Sequence, residues 1–528
     1  MSISQRARKW VLIALVIFTF GAWFADGYLR WVNSDTAGEA AGTSQDIRFP
    51  YGLISPHYKF HARVTATLLS YVPFHTIGYL YHKMTHDPVT ALYVSQGATS
   101  GLIYVSFLLI SAAYVSLLAS IVSPRYLISA AILALLMVAL PVLPLDKPFS
   151  LTVHFDHHSV MTNYVGTLMI ALCALYPFWR FICTGKWEDW YSNIRLRILF
   201  YALIVAAVFS STVTMLWLGG VAALGVLSIT WNEARTRNGL RTLPARLLND
   251  SRVVSLLLII ACVIAGTLAE ALQTRRNLTV TSIRSVEYVR TVFLFFQKGS
   301  YPFIAAVLCG LVATLASSNG KKRVGLANDV LPVDQGGGSA HYKRGLLSSH
   351  QGPLCRILPW LLIGNLLFIF VIGLPKVPYR FGGYNLGPDT ILPATWTITL
   401  WLVAAIIDLR ERKLWAWIAT PLILALLTGA IFFFTFPSYK SRETQRMILT
   451  RLHQEDVSVP ADRSLPIPVE HIAFSAHECK VYTIPFLRQM GVISSERKID
   501  VVSQAEYDIW HPQVSNTSGS SALNAENP

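Results

Sequence analysis

The sequence predicts an all-α polytopic membrane protein with a small α/β domain at its C-terminal end. Three observations lead there. Of 528 residues, 53% are hydrophobic and only 14% charged, too apolar a composition for an ordinary soluble fold. The apolar residues come in runs of about 17 to 25, the length of helix that crosses a bilayer. The net charge of +15 gathers in alternate loops, a positive-inside pattern and not a nucleic-acid footprint.

About eleven spans follow from the run lengths, at 10–28, 97–120, 126–143, 159–178, 198–214, 216–231, 253–271, 302–318, 357–374, 393–409 and 414–436. Arg6, Arg8 and Lys9 precede the first, and no small-residue cleavage site follows it, so it reads as a retained signal anchor. The segments 198–214 and 216–231 read as a tight helical hairpin. Arg125, Arg180, Arg195, Arg197, Arg235 and Arg410 share one face with the N-terminus, which places that face in the cytoplasm of a bacterial inner membrane. An odd number of spans then leaves the tail outside.

The first external loop, 29–96, contains an apolar stretch at 64–82 that resembles a span. His61, Arg63, Pro73, His75, His82, Lys83 and His86 lie in or beside it, and counting it as a span would put the Arg-rich loops outside. It is therefore expected to lie along the outer interface, one face in lipid and one in water. The Gly-rich insert at 319–356 reads as an unstructured loop. The membrane part ends near 436. In the remainder, 437–528, Ile472 to Phe474, Val481 to Ile484 and Lys498 to Val502 read as strands, whereas Glu443 to His453 and Pro485 to Met490 read as helices. About 75 residues make a core that is marginal alone, so docking onto the membrane part is expected, with a disordered last dozen.

The candidate chemistry gathers on the external side. His154, Asp156, His157 and His158 stand where one apolar segment ends and the next begins, and titratable groups at a membrane boundary are costly unless they bind something. Carboxylate oxygen with imidazole nitrogen suits a divalent cation such as Mn or Mg; the plain alternative is a solvated turn capping the next helix. His57 and His61, four apart and followed by Arg63, suit a metal or a phosphate, or form the wet face of an interfacial helix. Asp26, Asp35, Glu39 and Asp46 supply acids in the same loop. Glu287 lies among Arg275, Arg276, Arg284 and Arg290, and Arg380 sits in an aromatic stretch from Tyr379 to Tyr384, groups that suit an anionic headgroup or a sugar.

These features together resemble the GT-C superfamily of integral membrane glycosyltransferases. Phe155 to His158 is similar to the second-loop Asp-centred motif of oligosaccharyltransferases of the STT3 type. His57 to Arg63 is similar to their first-loop Asp-Pro-Tyr-Tyr-His-Leu-Arg pattern, and Ser285-Val286-Glu287 to their later Ser/Thr-Ile/Val-x-Glu motif. The resemblance spans roughly 1–436, mostly as architecture. It implies a polyprenyl-phosphate-linked sugar donor and a glycan or lipid acceptor. Asp46 or Asp35 would be the catalytic base, since His57 replaces the first-loop Asp. His57, His61, Arg63, Arg284 and Arg380 would bind the donor phosphate. Asp156 and His158, with Glu287, His154 and His157, would hold a divalent cation. The Trp-Trp-Asp-Tyr-Gly acceptor motif is absent, so transfer to protein asparagine is not implied. A polymerase or ligase of different fold, acting through His61 and Arg63, and a lipid or polysaccharide transporter are the alternatives.

Overall fold

The computed structural model describes residues 5–41, 64–118, 130–134, 137, 158–184, 187, 191–236, 249–271, 307–308, 311, 360–368, 392–409 and 438–511. The chain there is mostly helical. Four helices are long and apolar enough to cross a membrane, at Lys9–Leu29, Pro88–Leu118, His158–Cys183 and Val213–Trp231. Shorter apolar helices occupy Ser251–Thr267 and Leu392–Ala405. The expected spans near 302–318 and 414–436 fall almost wholly outside the described residues.

Helix α1 (Gln5–Leu29) is followed by the short α2 (Ser34–Ala41), then α3 (Val64–Pro73), a π-helical turn at Phe74–Gly78, and α4 (Tyr79–Thr85). Helix α5 (Pro88–Leu118) begins nine residues before the expected 97, because the helix continues beyond its apolar part. It runs antiparallel to α1 at close range. A Cβ added at Gly97 would stand 2.7 Å from the Phe24 carbonyl, and one at Gly101 would stand 2.7 Å from the Phe20 ring. Small residues let helix backbones approach where no water drives them together. Trp23 stacks on Tyr104 with ring centroids 3.6 Å apart. Outward, Val11, Ile13, Ile17 and Phe18 are exposed, a lipid-facing surface by its composition.

A helical turn at His158–Val160 and a π-helical stretch at Met161–Gly166 lead into α6 (Thr167–Thr184). The expected hairpin is present as α7 (Ile194–Val208) and α8 (Thr212–Thr236), joined by a three-residue turn. Helices α9 (Ser251–Ala271) and α10 (Leu392–Leu409) complete the described bundle. One end of it is basic and aromatic: Arg252 pairs with Asp250 and lies 4.6 Å from the Phe181 ring centroid, and Arg197 lies 5.3 Å from that of Tyr191.

The segment expected to lie flat does not run the length of the bundle. At its start Thr65 N–H donates to the Phe209 carbonyl (3.0 Å) and Thr65 Oγ1 to that of Ala206 (2.8 Å), at the α7–α8 turn. Further on, Gly78 abuts Ser95 near the start of α5. The helical run from Val64 to Thr85 is thus confined to the non-basic end, and it is not among the helices apolar enough to span.

The C-terminal residues pack on this same end. Helix α11 (Ser438–Ser458), strand β1 (Leu465–Pro468), helix α12 (Ile484–Gln489), strand β2 (Ile499–Val502) and helix α13 (Gln504–Trp510) follow in order. β1 and β2 pair in parallel, Leu465 opposite Ile499 and Pro468 opposite Val502. Two expected strands are corrected: Ile472 to Phe474 is turn, and Val481 to Ile484 is helical. Apolar composition was read as strand there, but Tyr482 and Ile484 reach the core from a helix. β1 escaped notice because prolines at 466 and 468 argue against a ladder strand. Ile448, Leu452, Ile467, Phe486 and Tyr507 share one core with Val32, Ala37, Phe74 and Leu92, so this segment and the bundle end are packed together.

Candidate active site

Four stretches distant in sequence meet at this end. The first is α2, whose start is fixed by Asn33: its Oδ1 accepts from the Thr36 N–H at 2.8 Å, satisfying a donor that the helix leaves free. α2 carries Asp35 and Glu39 four apart, on one face. A helix of eight residues is too short to persist alone, and the C-terminal segment grips it. Gln445 accepts from Val32 N–H (2.8 Å) and donates to the Val32 carbonyl (2.8 Å), in the manner of a backbone bridge. Ser34 Oγ donates to Glu478 Oε2 at 2.8 Å, and Gln489 Nε2 to the Ala41 carbonyl at 3.3 Å. Tyr482 packs against Gly38, where a Cβ would come within 3.3 Å of its ring.

That grip turns Glu39, 7% exposed, toward α3 and the π-helical stretch. Its Oε2 accepts from Ser70 Oγ and Thr162 Oγ1, each at 3.1 Å, and its Oε1 from Asn163 Nδ2 at 2.5 Å. Three donors on a buried carboxylate meet the requirement that a buried charge be hydrogen-bonded. The polar line continues down the bundle, Thr167 Oγ1 donating to the Asn163 carbonyl (2.6 Å) and lying 2.9 Å from Thr214 Oγ1. π-Helical stretches recur at functional sites; one of them, Met161–Gly166, carries Thr162 and Asn163, and another, Phe74–Gly78, continues the helix that carries Ser70.

His158 stands beside it, 3% exposed and edge-on to Phe74 with ring centroids 5.8 Å apart. Both of its ring nitrogens lack a hydrogen-bond partner, as do Ser159 Oγ and Asn163 Oδ1. Buried polar atoms are rarely left so; here four of them fall within six residues. His75 Nε2 meets the Ala40 carbonyl at 3.0 Å, and burial lowers its pKa against the opposing pull of that bond.

Of the residues predicted from sequence, Asp35 and His158 are described, and both lie at this end. Asp35 is half-buried in the first turn of α2. Asp46, His57, His61, Arg63, His154, Asp156, His157, Arg284, Glu287 and Arg380 lie outside the described residues. Among the described residues no three His, Cys, Asp or Glu side chains come together as a metal site. Asp26 is a structural acid, since Arg30 Nε and Nη2 bind its two oxygens at 2.9 and 2.7 Å. The partners of Glu39 were missed, because Ser70, Thr162 and Asn163 are unremarkable types in apolar sequence. Their one signal was polarity within otherwise apolar helices.

Comparison with protein-family models, with curated proteins and with solved structures finds no match to this chain.

Proposed function

We propose that the chain is a membrane glycosyltransferase that moves a sugar or glycan from a polyprenyl-phosphate-linked donor to a glycan or lipid acceptor. The carrying observation is the convergence of Glu39, Ser70, Thr162 and Asn163 beside the unpartnered nitrogens of His158. The described chain stops at Ala41, resumes at Val64, and resumes again at His158. In sequence, the segment bearing Asp46, His57, His61 and Arg63 joins Ala41 to Val64, and Asp156 and His157 immediately precede His158.

In this reading Asp46 or Asp35 takes the proton from the acceptor hydroxyl as its oxygen bonds to the anomeric carbon. The bond from that carbon to the phosphate oxygen breaks, and the lipid phosphate leaves with the electron pair. His57, His61, Arg63, Arg284 and Arg380 offset its charge. Asp156 and His158, with Glu287, His154 and His157, are the residues that would hold a divalent cation, which stabilises charge on a leaving phosphate when bound. Glu39 is a positioning residue. Its three donors fix α2, α3 and the 161–166 stretch relative to one another, and with them Asp35 and His158. The basic end of the bundle faces the cytoplasm and the Glu39 end faces outward from a bacterial inner membrane.

Alanine at Asp35, Asp46 and Asp156 tests this by surface-glycan profiling in cells. Loss of the modification in Asp156→Ala and in at least one of the other two is expected; full modification in all three overturns the reading. Unmodified glycans in His61→Ala and Arg63→Ala, with the acid variants intact, would favour the polymerase or ligase alternative. Orientation is checked with a cysteine placed at His157, which should react with a membrane-impermeant reagent on intact spheroplasts.

A further inference from the structure

Arg442, in the first turns of α11, is 3% exposed. Its guanidinium carbon lies 4.5 Å from the ring centroid of Tyr28 at the end of α1 and 4.9 Å from that of Tyr93 in α5. Its Nε and Nη2 have no hydrogen-bond partner. The nearest carboxylate oxygen paired with it is Glu443 Oε2, 3.9 Å from Nη1, on a side chain 39% exposed. Other buried arginines are treated differently. Arg30 is held by both oxygens of Asp26, and Arg497 by Asp456 Oδ1 and several carbonyls. A buried charge without partners is costly, and two aromatic faces offset only part of that cost.

The unsatisfied atoms are the pair that matters for recognition. Nε and Nη2 form the side-on edge of the guanidinium, whose two parallel N–H groups match two oxygens of a phosphate. What approaches that edge is indicated by α1. Ile13 and Ile17 are exposed, and the partly exposed Phe20, Phe24 and Tyr28 continue the same stripe along the seam where α1 meets α5 at Gly101 and Gly97, with successive rings 5.9 Å apart. An apolar stripe on a spanning helix thus ends beneath a cation at the level where the span ends. Arg446, one turn further along α11, adds a second positive charge to the field at Tyr93.

We propose that Arg442 binds the phosphate of a bilayer lipid, whose acyl chain lies along the Ile13–Tyr28 stripe and whose headgroup joins α11 to α1 and α5. The phosphate displaces the loose contact with Glu443 and takes both N–H groups of the guanidinium edge. This site is separate from the Glu39 cluster and does not rest on glycosyl transfer.

The test uses the full chain in detergent, titrated with short-chain phosphatidylglycerol, with farnesyl phosphate, with inorganic phosphate, and with the phosphate-free diacylglycerol and farnesol. The readout is the unfolding midpoint. Phosphatidylglycerol should raise it and diacylglycerol should not. Arg442→Gln should weaken the effect about ten- to a hundredfold, the loss expected for a charge-assisted hydrogen-bond pair. Arg442→Lys, which keeps the charge and tests folding, should lie between. Equal stabilisation by diacylglycerol and phosphatidylglycerol overturns the proposal using the unaltered protein alone. So does an Arg442→Lys or Arg442→Gln protein that binds as tightly as the original, or saturation by inorganic phosphate that lipid cannot displace. Preference for farnesyl phosphate would keep the phosphate site and assign it to an isoprenoid lipid.

Discussion

Replacing Glu39 separates a positioning network from incidental packing. Glu39→Ala removes the acceptor for Ser70, Thr162 and Asn163 and leaves three buried donors, each costing about 1–3 kcal/mol. Thr162 and Asn163 recover part of this, since the Thr162 hydroxyl can turn its one proton to the Ser159 carbonyl and Asn163 Nδ2 already donates a second hydrogen to it. A net loss of about 3–5 kcal/mol is expected, a large share of the ~5–15 kcal/mol by which proteins are stable. Glu39→Gln keeps the shape. Its amide oxygen turns to Asn163 Nδ2 and its NH2 to the two hydroxyls, which rotate to accept, so only the charge assistance is lost, about 1–2 kcal/mol. Asn163→Ala alone removes the 2.5 Å bond and costs about 1.5–3 kcal/mol. In the double variant Glu39→Gln/Asn163→Ala the costs should fall short of additivity by about 1 kcal/mol or more, because both changes act on one bond. Unfolding in mixed micelles with a denaturing detergent gives the four midpoints of the cycle. Additive costs, or a Glu39→Ala protein as stable as the original, would refute the reasoning.

Gln445→Met keeps the volume but removes the bridge to Val32 and the bond from Tyr93 Oη (3.0 Å); about 2–4 kcal/mol should be lost, with faster proteolysis near residue 42. Gly97→Val places atoms inside the 2.7 Å clearance to the Phe24 carbonyl, so α1 and α5 must separate; crosslinking by a short bis-thiol reagent between cysteines at Trp23 and Tyr104, whose rings stack 3.6 Å apart, should fall. His75 has its pKa lowered mainly by burial, so the folded protein binds fewer protons than the unfolded chain. Stability is therefore complete above the ordinary imidazole value of about 6.5 and declines as pH falls below it, toward the lower folded value. His75→Gln should flatten that part of the pH–midpoint curve, and an unchanged curve would show that the burial is not felt.

Much of the architecture was legible because a bilayer restricts the choices. Apolar runs marked α1, α8, α9 and α10 within about five residues and located α5 and α6 less closely, and the count of basic side chains kept Val64 to Thr85 from being taken as a span. The site was legible only in outline. Glu39 stood among four acids with nothing to set it above Asp35 or Asp46, because its distinction lies in Ser70, Thr162 and Asn163, residues 31 to 124 positions away. Hydroxyl and amide side chains inside apolar helices carry no period or motif. Their meaning comes from what they face, and π-helical stretches change that facing by a fraction of a turn. β1 was illegible for the opposite reason: a Pro-Ile-Pro strand violates the local rule and is held by α11 and α13 packed against it.

The order in which the parts are made bears on when the site forms. Helix α2 has eight residues, and nucleation makes such a helix unstable in isolation. The contacts that hold it come from Gln445, Glu478, Tyr482 and Gln489, more than four hundred residues later in the chain. Membrane insertion of α1, α5, α6 and the α7–α8 hairpin can therefore precede any fixed placement of Glu39. Until α11 and α12 dock, a carboxylate on an unheld turn faces Ser70, Thr162 and Asn163 with no defined geometry. A chain cut after Leu409 should thus insert and keep the α1–α5 crosslink while losing protection at α2, whereas loss of both would mean that the C-terminal residues support the bundle itself. The first outcome makes the last-synthesised segment a late assembly step for the Glu39 cluster, coupling its geometry to completion of the whole chain.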